Sequence, residues 1–426
     1  MSNNVIPLRP RQPDLAGYLR VGHDGHRLLE HMLKAGRLQH KRFVFDAAYI
    51  DRQWDLLKAV KAAGCEVVLD TNFSEMFFVG KFGSKVILLP WANPDRPWQQ
   101  GDFSNVRNFD VAHSIAQFAV NFGVDAVLLS SNVLHSGTIS TIKIDRSLCE
   151  SLRIELDKSG GSNIRVDFLT SLASKTLNDE MARKSLVTSI ANMPIDNIWV
   201  RLENFGSTST GVATHAFITA IQDLHELGVP VVVDYTGGLV GLSTLAFGAA
   251  GGISHGIGVK ETFDLSHWKK VGNGGGGGGV FVYVAELDKK FKPNQLIDFL
   301  AAKGSKPKFA CNDPDCCVSP QDRIDHHNEH FITQRSKQLA GLARVPADKR
   351  VDSFLVDMLG AAVRKARAST LLKIEDAGLV KSLVENKKKL TRLEEALVTL
   401  DKVELSKSKI PEFRGGKERL NVVLAS

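Results

Sequence analysis

The chain has 426 residues, of which 43% are hydrophobic and 24% charged, and its formal net charge is +7. This is the make-up of a soluble globular protein with a sizeable core. No run of about 18 apolar residues occurs, and the opening MSNNVIPLRPRQPDL has no apolar signal core, so the composition excludes a membrane-spanning protein and leads us to expect a cytoplasmic one.

Residues 1–16 read as a flexible leader. From there, short β-branched or apolar runs alternate with helical patterns. The runs are Tyr18–Val21, Phe43–Asp46, Glu66–Asp70, Ala126–Ser131, Arg165–Leu169, Ile198–Leu202, Val231–Tyr235 and Gly252–Gly258. Between them, apolar residues recur at spacings of three and four, and Gly64 and Gly228 stand where helices would stop. Eight β-then-α units in about 260 residues predict a (β/α)8 TIM barrel over residues 17–286. Val86–Trp91 with the Pro-rich NPDRPWQQGDF, and residues 135–163, read as insertions. Gly272–Gly279 is almost pure glycine and precedes the apolar run Val280–Ala285. That run is either the eighth barrel strand or a cap on a barrel already complete.

Residues 287–345 read as a metal-binding subdomain. Cys311, Cys316 and Cys317 surround a turn-forming Asn-Asp-Pro-Asp, and His326, His327 and His330 follow. Two thiolates brought together by a turn, then imidazoles about one helical turn apart, suit a structural Zn2+ site. Residues 346–426 form a basic helical tail. Residues 1–286 carry 27 Lys and Arg against 28 Asp and Glu, so residues 287–426 carry 27 against 19. A basic appendage on a neutral domain points to nucleic acid, with Lys387, Lys388 and Lys389 its most basic point; a merely solvated helical surface would also serve. The apolar face of Asp352–Leu359 would pack on the barrel or on a second subunit, as in a homodimer.

Catalytic groups of a barrel sit at the carboxyl ends of its strands. Those ends hold Asp46, Asp70, Ser130, Ser131, Asn132, Glu203, Asn204, Asp234 and His255. Three carboxylates, Asp70, Glu203 and Asp234, could supply nucleophile and acid/base in glycosyl chemistry, or could equally cap helices and pair with Arg201. Gly237, Gly238 and Leu239, with Gly256 and Gly258, offer backbone N–H groups to a phosphate or a base. Tight packing alone would ask for the same glycines.

The order of these features resembles the tRNA-guanine transglycosylase family over roughly residues 60–340. Those barrels exchange guanine for a 7-deazaguanine base through an aspartyl-sugar intermediate and carry a zinc subdomain. Val67–Phe78 (VVLDTNFSEMFF) is similar to the family's strand ending in Asp-Ser-Gly-Gly-Phe-Gln, which implies Asp70 as general acid/base, although the two glycines are absent. Gly237–Gly241 (GGLVG) looks like the base-contacting Gly-Gly-Leu-Ala-Val-Gly, and His255–Leu265 resembles Met-Gly-Val-Gly-Thr-Pro-Glu-Asp-Leu. Val280–Glu286 falls on Met-Phe-Asp-Cys-Val, which puts Val282 at the nucleophilic aspartate. Ser130, Ser131 or Asn132 replaces the base-recognising aspartate. Cys311, Cys316 and Cys317 with His327 resemble the zinc ligands, in a Cys-x4-Cys-Cys spacing.

The resemblance implies a divergent transglycosylase acting on tRNA or DNA with a small purine-like base, Asp234 or Glu203 standing in as nucleophile. A barrel that only binds nucleic acid, and a phosphate-binding barrel using a flavin or nucleotide, are the alternatives.

Overall fold

The computed structural model describes residues 15–82, 84–103, 105–130, 140–269 and 279–402. Eight parallel strands close into a barrel in sequence order: β1 Ala16–Arg20, β2 Arg42–Asp46, β3 Glu66–Asp70, β4 Ala126–Ser130, β5 Arg165–Leu172, β6 Asn197–Leu202, β7 Val231–Val233 and β8 Gly252–His255. Closure is direct: Tyr18 of β1 pairs with both Arg42 of β2 and Ser254 of β8. All eight fall on the runs expected from the sequence.

Seven of the longer helices follow strands 1 to 7: α1 His26–Lys34, α2 Trp54–Ala62, α3 Asn105–Phe122, α4 Ser140–Lys158, α5 Glu180–Ile190, α6 Gly211–Ile221 and α7 Gly238–Ala246. α4 corrects one expectation. Much of 135–163 is not an insertion but the helix of the fourth β/α unit, and its Leu148, Leu152 and Leu156 are buried at helical spacing.

Side chains alternate across each strand. Ala16, Tyr18, Val44, Val68, Ala126, Leu128, Leu169, Trp199 and Val232 form a separate apolar cluster inside the barrel. The opposite parity joins the large core between strands and helices. Below the inner cluster, Glu66, Arg165, Asp167 and Asn197 close the barrel floor. There Arg165 pairs with Glu66 and Asp167, while Asn197 and Trp199 donate to Asp167 at 2.8 and 3.0 Å.

Val282–Val284 is a strand, β9, but not a barrel strand. It pairs antiparallel with β10, Lys289–Phe291, in a two-stranded sheet of its own. After α8 (Pro293–Ala301) the chain reaches α9, His327–Ala343. This helix lies on the outer side of β1 and β8, where the eighth barrel helix belongs. Leu339 fits against Gly17, which any Cβ would disturb; Phe331 stands edge-on to His255 at 5.9 Å; and Ser336 shares a 2.8 Å hydrogen bond with His40. The barrel is thus completed by a helix of the downstream region.

Two further helices, α10 (Gly360–Ser369) and α11 (Ala377–Lys402), cover the far side. Leu379, Leu383, Leu390, Leu393, Leu397 and Leu400 make a buried stripe on α11, each contributing about 1.5–3 kcal/mol. α11 packs on α6, and Phe354 and Leu359 pack the 352–359 segment onto α7. Of the two positions expected for that segment's apolar face, the barrel is the one occupied, with Val356 left outside. Among the described residues, no helix is long and apolar enough to cross a membrane.

Candidate active site and metal centre

Two residues beyond each inward-facing apolar position, the same parity delivers a charged side chain. Tyr18 leads to Arg20, Val44 to Asp46, Val68 to Asp70, Trp199 to Arg201 and Val232 to Asp234. These five meet at the carboxyl end of the barrel, where catalytic groups of this architecture collect. Arg20 donates from Nε and Nη2 to the two oxygens of Asp234 at 2.8 and 2.9 Å. Arg201 donates from Nε and Nη2 to Asp234 Oδ2 at 2.9 and 2.7 Å. Arg20 Nη1 turns the other way, lying 2.8 Å from Asp70 Oδ2 and 3.5 Å from Asp46 Oδ1.

Burial sets the properties of these groups. Burial alone would raise the pKa of Asp234, but Arg20 and Arg201 outweigh it and hold the carboxyl below its usual range. Asp46 goes the other way. Burial, and then the charge of Asp70, push it up to about 7, with Arg20 opposing. Its side chain keeps 16% exposure, against 6% for Asp70 and none for Asp234.

Aromatic rings roof the cluster. Tyr235 lies under both guanidiniums, 4.7 Å from Arg20 and 5.0 Å from Arg201, and Phe263 is 4.9 Å from Arg201. Tyr235 has φ of +53°, a left-handed conformation costly for a bulky residue. Such strain collects at functional sites. Asn72, two residues past β3, is also left-handed; its N–H donates to Asp70 Oδ1 at 3.0 Å.

The expected site residues divide accordingly. Asp70 and Asp234 come together. Glu203 does not; it is half-buried outside the cluster, 3.9 Å from Lys269. Ser131 and Asn132 lie outside the described residues. Asp234 was expected as a stand-in nucleophile, yet its side chain is fully buried and takes four guanidinium hydrogen bonds against one for Asp70, which fits a clamp rather than an attacking group. Arg20 was missed altogether. Its signal was the period-two step from Tyr18, which aims it into the barrel. The same parity turns His255 outward, toward α9.

The glycine wall is also filled by the chain itself. Gly237 precedes α7, and a Cβ there would overlap the Glu261 carboxylate. Gly238, at φ +65°, faces Asp288, whose Oδ2 accepts from Leu239 N–H at 3.1 Å. A protein carboxylate therefore takes the helix N-terminus expected to hold a ligand. Arg335 ties it in place, bonding Glu261 at 2.8 and 3.0 Å and Asp288 at 3.0 Å. Gly256 and Gly258 belong to a tight turn closed by Gly256 N–H to Lys260 O at 2.7 Å. These glycines serve packing.

The cysteines and one histidine form a buried group. The donor atoms of Cys311, Cys316, Cys317 and His330 all lie within 4.8 Å of one another. Cys311 Sγ is 3.8 Å from Cys316 Sγ, and His330 Nδ1 is 3.4 Å from Cys316 Sγ and 3.3 Å from Cys317 Sγ. Two sulfurs at about 2.3 Å from a tetrahedral ion stand about 3.8 Å apart, so this donor set fits one metal ion. His330 Nε2 lies 3.0 Å from Tyr283 O, an outer contact that leaves Nδ1 for the metal. His327, expected as the fourth ligand, is not part of the group; its Nδ1 faces Ile324 O at 3.2 Å. The reason is position along α9. His327 shares the face of His330 and Gln334 but is the helix's first residue and faces the preceding turn, whereas His330 and Gln334 stand level with the cysteines, Gln334 donating to Cys316 Sγ at 3.4 Å.

No protein-family model matches the chain, and no curated protein matches it in sequence. Solved structures that superpose on part of it are barrels of varied chemistry. An endo-1,4-β-xylanase from Penicillium canescens has 9% identity and a TM-score of 0.41, over 57% of this chain and 83% of that one. The 3-dehydroquinate dehydratase of Enterococcus faecalis has 13% and 0.35, over 58% and 91%. The tryptophan synthase α subunit of Campylobacter jejuni has 11% and 0.35, over 61% and 94%. At such scores these similarities bear on neither substrate nor mechanism, and the barrel assignment stands on the closed strand order.

Proposed function

We propose that the protein is a glycosyl-transferring enzyme that exchanges or inserts a purine-like base, of the 7-deazaguanine kind, in tRNA or DNA. The observation carrying this reading is Arg20 Nη1 set between two carboxyl groups of different character. Asp46, pushed up to about 7, holds a proton near neutrality. Asp70 accepts from Arg20 and from the Asn72 backbone. Two carboxyls beside one guanidinium, one of them holding a proton near neutrality, suit the acid and nucleophile of glycosyl transfer.

In the proposed sequence, Asp70 attacks the anomeric carbon while Asp46 gives its proton to the departing base. An aspartyl-sugar ester forms and the carbon–nitrogen bond breaks. The incoming base then attacks that carbon, Asp70 leaves as carboxylate, and the proton shed by the incoming base returns to Asp46. Asp234 stays clamped and fixes both guanidiniums. The match of VVLDTNF to the transglycosylase motif supports Asp70 as a working carboxylate; the resemblance implies the acid/base role for it, and the attacking role is our reassignment. The Cys3His group, for which zinc is the ion we propose, and the basic α11 also support the reading.

The test is to trap a covalent adduct between the protein and a tRNA or DNA oligonucleotide with a labelled base present. The adduct should map to Asp70 and vanish in Asp70→Asn. Its absence with every such substrate would favour a second reading, a barrel that binds nucleic acid without catalysis. That reading draws on Val282, which the resemblance aligns with the nucleophile and which sits in β9, outside the barrel.

A further inference from the structure

A cleft of about 380 Å3 opens between β10, the loop after β6 and α11. None of the Arg20 cluster lines it. On α11, Ser382, Glu385, Asn386 and Lys389 line it at spacings of three and four, along the flank of the buried leucine stripe, with Asn386 itself buried and donating to Leu287 O at 3.0 Å. Across from them stand Lys289 and Lys290 of β10, with Ser207 and Thr208 at the rim.

Three carboxylates line the cleft, and two of them are already engaged. Glu261 is held by Arg335 and by Lys290 at 2.7 Å. Asp288 is held by Arg335, Tyr283 and Leu239 N–H. Glu385 lies on the exposed side of α11. Lys389 donates only to a carbonyl, Ser207 O at 3.2 Å, and Lys289 stands over the Phe291 ring at 5.4 Å. Among the described residues, neither ammonium is in an ion pair. Two such ammoniums in one half-enclosed cleft repel each other; burial and Lys389 both lower the pKa of Lys289, with the charge of Glu385 opposing, and Lys389 in turn helps hold Asp288 ionised. An anion between them would relieve both costs, with the hydroxyls of Ser207, Thr208 and Ser382 as further donors.

We propose that this cleft binds a phosphate ester, with Lys289 and Lys389 as its cationic jaws. The phosphate is either that of a small phosphorylated metabolite or one of a nucleic-acid backbone, and the two sources share the same chemistry. This site stands apart from the carboxylate chemistry above and is measured as binding, without turnover.

The experiment titrates the full-length protein with a nucleoside 5′-monophosphate and, separately, with a short single-stranded oligonucleotide. Wild type is compared with Lys289→Gln, Lys389→Gln and Lys34→Gln, the last altering an exposed lysine of α1 that does not line the cleft. Expected is at least tenfold weaker binding of one probe or both in the Lys289 and Lys389 variants, and less than twofold change in Lys34→Gln. Which probe responds identifies the source. In parallel, lysine acylation read by mass spectrometry on the unmutated protein should show Lys289 and Lys389 protected by the bound probe and Lys34 unprotected. Equal losses in all three variants, no loss in any, or no selective protection would overturn the proposal.

Discussion

Arg20 grips Asp234 through two nitrogens at 2.8 and 2.9 Å, and so reserves a single nitrogen, Nη1, for the opposite side of the barrel. The division decides which carboxyl groups are free for chemistry. Asp234→Asn would leave two buried guanidiniums short of their shared counter-ion, at a cost of about 3–5 kcal/mol. We expect a large drop in the denaturant midpoint of this variant. Covalent adduct should still form, in proportion to the folded fraction, because Asp234 is not the attacking group.

Asp46 and Asp70 predict a different pattern. Asp70→Asn should abolish adduct and turnover per folded molecule, beyond any loss of stability from removing a buried partner of Arg20. Asp46→Asn should lower turnover about 10²–10⁴-fold, the usual range for a proton donor. Since Asp46 donates only when protonated, wild-type turnover should fall as pH rises past about 7. That limb should disappear in the residual activity of Asp46→Asn. A pH–rate profile that keeps the limb in the variant would assign it to another group.

Metal content separates the two histidines. Wild type should carry one metal equivalent by elemental analysis, zinc on our proposal. Cys311→Ser, Cys316→Ser, Cys317→Ser and His330→Ala should each lose it, and His327→Ala should retain it. Because His330 sits on α9, which walls β1 and β8, a chelator should lower Tm and loosen the barrel as well as the subdomain. Hydrogen exchange at Leu19 and Ile253 would report the loosening.

Acid should weaken the fold through His40. Burial, with His255 beside it, pushes His40 down to about 3, against an ordinary value near 6.5. The unfolded chain therefore binds a proton that the folded one refuses between those values, and stability falls as pH drops through that window. The slope is at most about 1.4 kcal/mol per pH unit for this group. Asp46 acts oppositely between about 4 and 7, because its folded form holds the proton more tightly. The comparison that isolates His40 is unfolding from pH 7 to 4 in wild type and His40→Gln. The variant should show the shallower acid loss.

All eight barrel strands were legible, because each is a short β-branched run closed by a turn signal, and Gly64 and Gly228 marked helix ends correctly. The carboxyl-end rule found Asp46, Asp70 and Asp234. It did not rank them, because rank depends on which partners cross the barrel, and Arg20 comes from a strand 214 residues away from Asp234. The glycines misled for a related reason. Gly237 and Gly238 look alike whether a ligand or Asp288 takes the space beside them. His327 lost to His330 on its place along the helix, one turn short of the cysteines, which is set by where α9 begins.

The position of α9 has a consequence for how the molecule is made. The strands are complete at His255, but the helix that walls β1 and β8 begins only at His327, roughly seventy residues later. A ribosome that has released β8 has released a barrel with one side bare, Gly17 and Ile253 facing water. Closure then waits for a distant segment, a long-range contact that slows folding. The Cys3His donors that can hold a metal arrive with that same segment, from Cys311 to His330. A metal held by those donors would therefore tie the late-arriving helix to its subdomain at the step that closes the barrel.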